Sequence, residues 1–242
     1  QITQKAAVSD HRQAIIIAPN STWGKNLEEQ LQTQWKDKGG IVRQTLYYDT
    51  QKTLSTKIKQ LLNVDQSYTR GYAIRSAVRQ KNVRIVSRRR KDFNVIFLIS
   101  QPTMGRQIEP LLKFYFAGDI PTYSLSSIYT GTPNPSKDKD LDDILFCDIP
   151  WVLQANQMHP NFLNTLQKQS KSLWPSSYAN NSKLYALGVD AYDISINLPT
   201  MTLLPDFGNK SATGTLYIDK NQHVYRELSW AQFANGTPKL RS

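Results

Sequence analysis

Apolar runs and stripes at helical spacing alternate through the first half of the chain. Residues 14–18 (AIIIA) and 94–99 (NVIFLI) are short runs of strand-forming side chains, which is typical of parallel strands covered on both faces. After the second run, Met104, Ile108 and Leu111 begin a helical stripe, and Gly118 is placed to end that helix. This alternation predicts a doubly wound α/β sheet, in which ligands bind beyond the carboxyl ends of the strands.

The same patterns predict the other elements. Further strands are expected at 41–48, 83–86, 121–125 and 141–149, and helices at 27–35, 54–62 and 65–80. Gly39 and Gly40 should close the first of these helices. Residues 126–140 are predicted to be a loop, 150–160 to be irregular, and 213–218 with 224–230 to form a hairpin around a turn at 219–222. A later helix should end at Pro199, and its apolar seam consists of Leu184, Leu187, Ala191, Ile194 and Leu198.

Positive charge is concentrated in one stretch of the chain. The net charge is +11, and nine basic residues with no acid among them supply most of it: Arg70, Arg75, Arg79, Lys81, Arg84, Arg88, Arg89, Arg90 and Lys91. Such a patch can attract nucleic acid, anionic lipid, an acidic protein or an acidic polymer, and it can equally be a solvated helix and loop. Tyr72 is the only aromatic residue within it, and no RNA-binding motif surrounds it, so nucleic acid is not an expected partner.

The histidines and the cysteine do not suggest a chemical site. His11, His159 and His223 lie far apart in the sequence, without a second ligand at metal-binding spacing. The single Cys147 ends an apolar run and is expected to pack in the core. We therefore predict no metal site and no cofactor.

Two pairs of acids could in principle serve an acid–base mechanism. Asp190 and Asp193 would share one face of a helix, although the polar side of that helix is the simpler explanation. Asp142 and Asp143 are adjacent and would point to opposite faces of a strand. Because no nucleophile or phosphate-binding motif accompanies them, we predict no catalytic residues and no enzyme activity.

If a small polar ligand binds, it should contact the loops that follow the strands. Their hydroxyls, amides and aromatic rings suit a polar solute, although such residues are also ordinary loop and N-cap formers. The candidate ligand residues are Asn20, Ser21, Thr22, Trp23, Ser100, Gln101, Ser126, Ser127 and Tyr129.

Four local patterns, in order along the chain, resemble those of one family. They are Pro19, Trp23 and Gly24 followed by Trp35, Gly39 and Gly40; the arginine triplet Arg88, Arg89 and Arg90 before NVIFL; residues 185–192 (YALGVDAY); and a closing hairpin with Gly214, Leu216, Arg226, Leu228, Trp230, Phe233, Gly236 and Pro238. On these patterns the chain is similar to the LppC/LpoA lipoproteins, outer-membrane-anchored activators of class A penicillin-binding proteins.

The resemblance implies an α/β, type I periplasmic-binding-protein-like fold with two doubly wound lobes. Residues 13–148 and 212–242 would form the second lobe. Residues 1–12 and 150–210 would form part of the first, whose initial strands we expect to be absent from this sequence. No apolar run reaches the ~20 residues of a membrane span, and residues 1–10 lack a signal-peptide core, so any lipid anchor would lie upstream.

The implied function is that of a non-enzymatic periplasmic regulator that binds and activates a class A penicillin-binding protein. Peptidoglycan is a further candidate partner, and Arg88, Arg89 and Arg90 are candidate partner contacts because guanidinium groups pair with carboxylates. The full-length protein would be lipid-anchored to the inner leaflet of the outer membrane. Two alternatives remain open, a receptor for a small polar solute and a polyanion or nucleic-acid binder that uses the arginine-rich stretch.

Overall fold

The computed structural model describes residues 1–78, 84–154, 157–158 and 160–241. Within these residues the helices are α1 (Ile2–Val8), α2 (Thr22–Asp37), α3 (Gln51–Leu61), α4 (Val64–Val78), α5 (Pro102–Phe114), α6 (Pro135–Asp138), α7 (Pro150–Leu153), α8 (Phe162–Leu173) and α9 (Pro175–Leu203). The strands are β1 (Gln13–Pro19), β2 (Ile41–Tyr48), β3 (Val95–Leu98), β4 (Thr122–Ser124), β5 (Leu145–Asp148), β6 (Asn209–Ser211), β7 (Gly214–Ile218), β8 (Val224–Glu227), β9 (Ser229–Ala234) and β10 (Thr237–Arg241). Short 3₁₀ turns occupy Ser126–Ile128 and Lys139–Leu141.

A seven-stranded sheet with helices on both faces forms the larger part of the molecule. Its strand order is β10-β9-β5-β4-β3-β1-β2. Strands β1 to β5 run parallel to one another, β9 runs antiparallel to β5, and β10 runs antiparallel to β9. Ile15 and Ile17 face a core shared with α3 and α5, whereas Ile16 faces a core shared with α1 and α2. Burial on both faces explains why these strands are continuous apolar runs, and the doubly wound prediction is confirmed.

The first strand–helix unit follows the predicted pattern closely. The Ser21 hydroxyl accepts a hydrogen bond from the Gly24 amide and caps α2. Gly39 adopts a left-handed backbone (φ 77°) just after the helix ends. A Cβ on Gly40 would come 2.1 Å from the buried ring of Trp35, so only glycine fits there. The glycine pair therefore closes the helix as predicted.

Two predicted helix ends are wrong. The helix α5 ends at Phe114, before Gly118, because Phe116 itself takes a left-handed conformation (φ 68°) and the Ala117 amide donates to the Leu112 carbonyl. The helix α9 continues through Pro199 to Leu203. Pro199 is exposed, so water can satisfy the carbonyl that its ring leaves without a partner.

The strand predicted at 83–86 is also not observed. Residue 83 lies outside the described residues, and 84–86 form no sheet pairing. Ile85 packs on α4 instead, where a Cβ on Gly71 would come 2.5 Å from its Cγ2 atom. Two smaller differences occur elsewhere. Strand β5 begins only at Leu145, and the short helix α7 lies in the region predicted to be irregular.

A smaller unit consists of α7, α8, α9 and a three-stranded antiparallel sheet of order β6-β7-β8. The predicted hairpin is present as β7 and β8, and it pairs with β6. The predicted second lobe included residues 212–242 as one piece, whereas the structure divides them between the small sheet and strands β9 and β10 of the large sheet. Helix α1, predicted to belong to the first lobe, packs on the large sheet.

The helix α9 buries a different face from the one that its apolar pattern predicts. Leu184, Leu187 and Leu198 of the predicted seam are exposed. The buried positions include Ala186, Asp190 and Met201. Hydropathy alone pointed to the wrong face because the buried face contains a carboxylate.

Asp190 explains how a polar face can be buried. Its carboxylate accepts hydrogen bonds from the Ser211 hydroxyl (2.6 Å), the Ala212 amide (2.8 Å), and both the amide (2.8 Å) and the hydroxyl of Thr213. These bonds hold the turn between β6 and β7 against α9. A carboxylate with this many donors is accommodated in a buried position.

We expect Asp190→Ala to lower the free energy of unfolding by about 3 kcal/mol, because it leaves several buried donors without an acceptor. Urea denaturation measures this loss. Asp206→Ala is the matched control, since Asp206 is exposed, and it should change stability by less than about 0.5 kcal/mol. Equal stability of the two variants would contradict the structural role assigned to Asp190.

Candidate functional site

The loops at the carboxyl ends of the parallel strands lie together along one edge of the large sheet. The strand order changes direction between β1 and β3, and such a switch point is where open α/β sheets bind ligands. Hydrogen bonds link neighbouring loops at this edge. The Asn20 amide donates to the Tyr48 carbonyl, the Tyr48 hydroxyl to the Ile99 carbonyl (3.2 Å), and the Ser127 hydroxyl to the Ser100 carbonyl (2.9 Å).

Most of the predicted ligand side chains in these loops already have intramolecular partners. The Lys57 ammonium and the Asn20 side-chain amide both donate to Asp49 (2.8 Å each), and these bonds hold the pKa of Asp49 below its usual value. Ser21 caps α2, and the buried Ser100 hydroxyl donates to the Gln101 carbonyl (2.8 Å). These groups therefore stabilise the edge rather than await a ligand.

Three of the candidates have exposed side chains with no hydrogen bond to any described residue, namely Thr22, Trp23 and Gln101. Trp23 is 41% exposed, and the other two are also exposed. They lie after β1 and β3, on the two sides of the switch point. A polar solute at this edge would have to rely mainly on these three side chains.

Ser126 and Tyr129 contribute backbone carbonyls rather than hydroxyls. The Lys183 ammonium, from α9, donates to the carbonyl of Ser126 (3.0 Å) and to that of Tyr129 (3.1 Å). The Tyr129 ring is buried among Phe146 and Phe233, and this burial raises the pKa of its phenol. Tyr129 is thus a core residue, and a cation from the chain itself takes up the carbonyls of this loop.

The same ammonium forms a buried ion pair that joins the two parts of the molecule. Lys183 Nζ lies 2.6 Å from Asp148 Oδ2, and Asp148 is buried at the end of β5. Burial raises the pKa of Asp148, and the charge of Lys183 opposes that rise. The sequence analysis missed both residues, although a carboxylate directly after the apolar run of β5 was a usable signal.

The arginine triplet is divided between internal contacts and the surface. Arg89 donates to the Phe116 carbonyl (2.7 Å) and to Asp119 (2.7 Å), and it lies over the ring of Phe93. Arg90 makes a bidentate pair with Asp92 (2.6 Å for each bond), which lowers the pKa of that carboxyl. The Arg88 side chain is exposed and pairs with no described residue. Only Arg88 is therefore presented for an external contact.

The acids considered for catalysis have structural roles. Asp142 accepts from the amides of Asn235 and Gly236 and so holds the turn between β9 and β10. Asp143 pairs with Lys113, and Asp193 accepts from the side chain of Asn209. These acids therefore do not converge on one pocket.

The remaining candidates also lie apart. Burial lowers the pKa of His11, and His223 faces Asp219 in the hairpin turn. His159 lies outside the described residues. Cys147 is buried, as expected for a core position. In the described ranges, no three residues of the types His, Cys, Asp or Glu come together at metal-binding distances.

Two cavities adjoin the smaller unit. One, of about 390 Å³, lies between residues 131–133 and helices α7, α8 and α9, and the other, of about 230 Å³, lies between α7 and the small sheet. Neither is lined by a candidate ligand residue. Among the described helices, none has the length and apolar character needed to cross a bilayer.

Comparison with known families and sequences gives one answer for nearly the whole chain. The model of the LppC lipoprotein family matches residues 1–236. The penicillin-binding protein activator LpoA of Vibrio antiquarius is 25% identical over 218 residues, which cover 90% of this chain and 35% of that protein. The LpoA of Photobacterium profundum is 24% identical over 97% of this chain and 37% of its own length. The chain thus spans little more than a third of these relatives.

Solved structures confirm the predicted fold class. The C-domain of LpoA (YraM) from Haemophilus influenzae, a regulator of PBP1A, superposes with a TM-score of 0.64 at 19% identity, covering 99% of this chain and 64% of that one. An ABC transporter substrate-binding protein from Desulfitobacterium hafniense gives a TM-score of 0.55 at 14% identity, with 99% and 64% coverage. At these identities the likeness establishes a type I periplasmic-binding-protein-like fold.

We expect Lys183→Met to lower the free energy of unfolding by about 2 kcal/mol at neutral pH, because it leaves a buried carboxylate without its cation. The raised pKa of Asp148 means that ionisation costs folding energy as the pH rises through that pKa. Removing Lys183 raises the pKa further, so the loss should shrink when the pH is lowered toward 4 and Asp148 is protonated.

The matched control is the double variant Lys183→Met with Asp148→Asn, which should recover part of the loss at pH 7. Denaturant titrations at both pH values provide the measurement. A loss that is equal at both pH values and unaffected by Asp148→Asn would show that the ion pair is not what Lys183 contributes.

Proposed function

Because the chain belongs to the LppC family of lipoproteins, we propose that it is part of a non-enzymatic periplasmic regulator that binds and activates a class A penicillin-binding protein. The observation that carries this proposal is the family match over residues 1–236. Curated relatives over the same region are named penicillin-binding protein activators. The class of synthase and the activation of transpeptidation are the parts that need an experiment.

The geometry supports a role in binding rather than in chemistry. Asp142 and Asp143 are held by the β9–β10 turn and by Lys113. Asp190 and Asp193 both accept hydrogen bonds from β6, so their oxygens are engaged in structural bonds rather than presented to a substrate as an acid–base pair. At the strand-end edge, Lys183 is held by Asp148 and two carbonyls and is not placed as a nucleophile. A regulator that works by contact needs a stable surface, which these bonds provide.

The family also supports a proposal for location. We propose that the full-length protein lies in the periplasm and is lipid-anchored to the inner leaflet of the outer membrane, with peptidoglycan as a second partner. This chain would contact the membrane only through that anchor. A division into two lobes likewise remains a proposal, and the exposed apolar seam of α9 suits a helix that other parts of a first lobe cover.

A small-solute receptor is the alternative that the fold allows. The only support for this function is the similarity of the fold to that of a substrate-binding protein. Of the predicted ligand groups, Thr22, Trp23 and Gln101 are the exposed side chains without a hydrogen bond to a described residue. We therefore rank this function second.

The proposed function is tested by measuring binding of the purified protein to the class A penicillin-binding protein of the same organism, with transpeptidation followed in parallel. We expect saturable binding and an increase in cross-linked product. Because the chain spans about a third of its relatives, the full-length protein is measured beside it.

A type I solute-binding protein of similar size serves as the negative control. Two results would contradict the proposal: folded full-length protein that does not bind the synthase, or binding that leaves cross-linking unchanged. Stabilisation of the chain by a small polar solute, in the absence of synthase binding, would favour the receptor instead.

A further inference from the structure

Helix α4 is an exposed helix with several uncovered apolar side chains. Of its fifteen residues, Val64 alone is buried. Large apolar or aromatic side chains along the rest of the helix are about half exposed: Tyr68, Tyr72, Ile74 and Val78, with Val86 of the following segment beside them. A solvent-exposed helix that binds no partner would be expected to carry polar residues at these positions.

The helix is nevertheless fixed in place by the segment that follows it. Ile85 packs against Gly71, and the Arg88 amide donates to the Ser67 hydroxyl (3.0 Å). Beyond these contacts, the Arg90 amide donates to the Leu62 carbonyl (2.9 Å). Arg89 holds the segment to the large unit through its ion pair with Asp119, and the Arg90 side chain does so through hydrogen bonds to Gln44 and to the Leu61 carbonyl. The exposed side chains therefore project from an ordered support.

Unmatched positive charge surrounds these apolar side chains. Arg70, Arg84 and Arg88 make no ion pair and no side-chain hydrogen bond with any residue in the described ranges. Asp65, in the first turn, is the only acid in α4. Elsewhere in the chain, Arg89, Arg90 and Arg106 have carboxylate partners. Of the four guanidinium groups with neither an ion pair nor a side-chain hydrogen bond among the described residues, three therefore lie on this surface, and the fourth, Arg226, lies on β8.

We propose that α4 and residues 84–88 form the docking surface for an acidic protein partner, and that this partner is the synthase of the proposed function, on which the inference rests. Tyrosine and arginine are the residue types that contribute most to binding energy at protein interfaces. Tyr68 with Tyr72, and Ile74 with Val78, form two apolar pairs at i, i+4 on two sides of the helix, and the partner would desolvate them. Arg70, Arg84 and Arg88 would meet carboxylates of the partner and steer the encounter.

The chemistry favours a protein over other anionic partners. The Tyr68 hydroxyl donates to that of Tyr72 (2.9 Å), and their ring centroids lie 4.7 Å apart, so the two rings contact one another rather than standing apart to stack bases. Ile74, Val78 and Val86 need a matching apolar surface, which a polyanion does not supply. A helix that lies on a lipid surface presents its apolar side chains as one stripe, whereas Tyr72 and Ile74 are two residues apart and lie on different sides of α4. An acidic protein surface with an apolar centre satisfies both requirements.

The test compares two double charge reversals that change the net charge equally. Arg70→Glu with Arg88→Glu alters the proposed surface, and Lys36→Glu with Lys38→Glu alters exposed positions at the end of α2. Calorimetric titration with the class A penicillin-binding protein should show at least about tenfold weaker binding for the first variant and less than about twofold change for the second. Tyr72→Ala, which removes no charge, should also weaken binding and mainly raise the dissociation rate.

Each outcome supports or overturns the inference. Equal affinities for the wild type, Arg70→Glu with Arg88→Glu, and Tyr72→Ala would overturn it and leave the proposed function standing. If folded full-length wild type does not bind the synthase, the proposed function fails and the inference fails with it. Binding to anionic vesicles or single-stranded DNA that the Arg70→Glu and Arg88→Glu variant loses, while synthase binding is kept, would assign the surface to a different partner and also overturn it.

Discussion

The ion pair between Lys183 and Asp148 is the interaction on which the arrangement of the molecule depends. It connects α9 of the smaller unit to the end of β5 in the large sheet, and the same ammonium holds the loop that contains Ser126 and Tyr129. Asp148 is buried, so the pair is shielded from solvent and loses less to screening than a surface pair would. One consequence is structural, because the two units are joined. The other is functional, because a cation of the chain occupies part of the edge where a solute would bind.

That arrangement distinguishes this chain from a simple receptor built on the same fold. Several polar groups at the strand ends, among them Asn20 and Ser127, are bonded within the chain, whereas α4 carries both unpaired charge and uncovered apolar side chains. A surface of that kind suits recognition of another macromolecule rather than enclosure of a small one. The geometry of the sheet edge and the character of α4 therefore support the same type of function.

The large sheet could be predicted from sequence because its strands are buried on both faces and therefore appear as apolar runs, as Ile15 to Ile17 show. The buried face of α9 could not, since Asp190 finds its donors in Ser211, Ala212 and Thr213, more than twenty residues away. The predicted ligand residues lie in the loops after the strands, and their role as ligand residues stays a prediction. Their occupation by internal partners depends on contacts between distant segments, and the same is true of Arg89 with Asp119.

We propose that the protein acts through contact at α4 rather than through its strand-end loops. Hydrogen–deuterium exchange with and without the penicillin-binding protein measures this most directly. We expect the synthase to slow amide exchange within residues 64–78 and 84–88. The exchange rates of residues 20–23, 100–101 and 126–129 should stay unchanged. Slower exchange in those strand-end loops, with α4 unaffected, would contradict it.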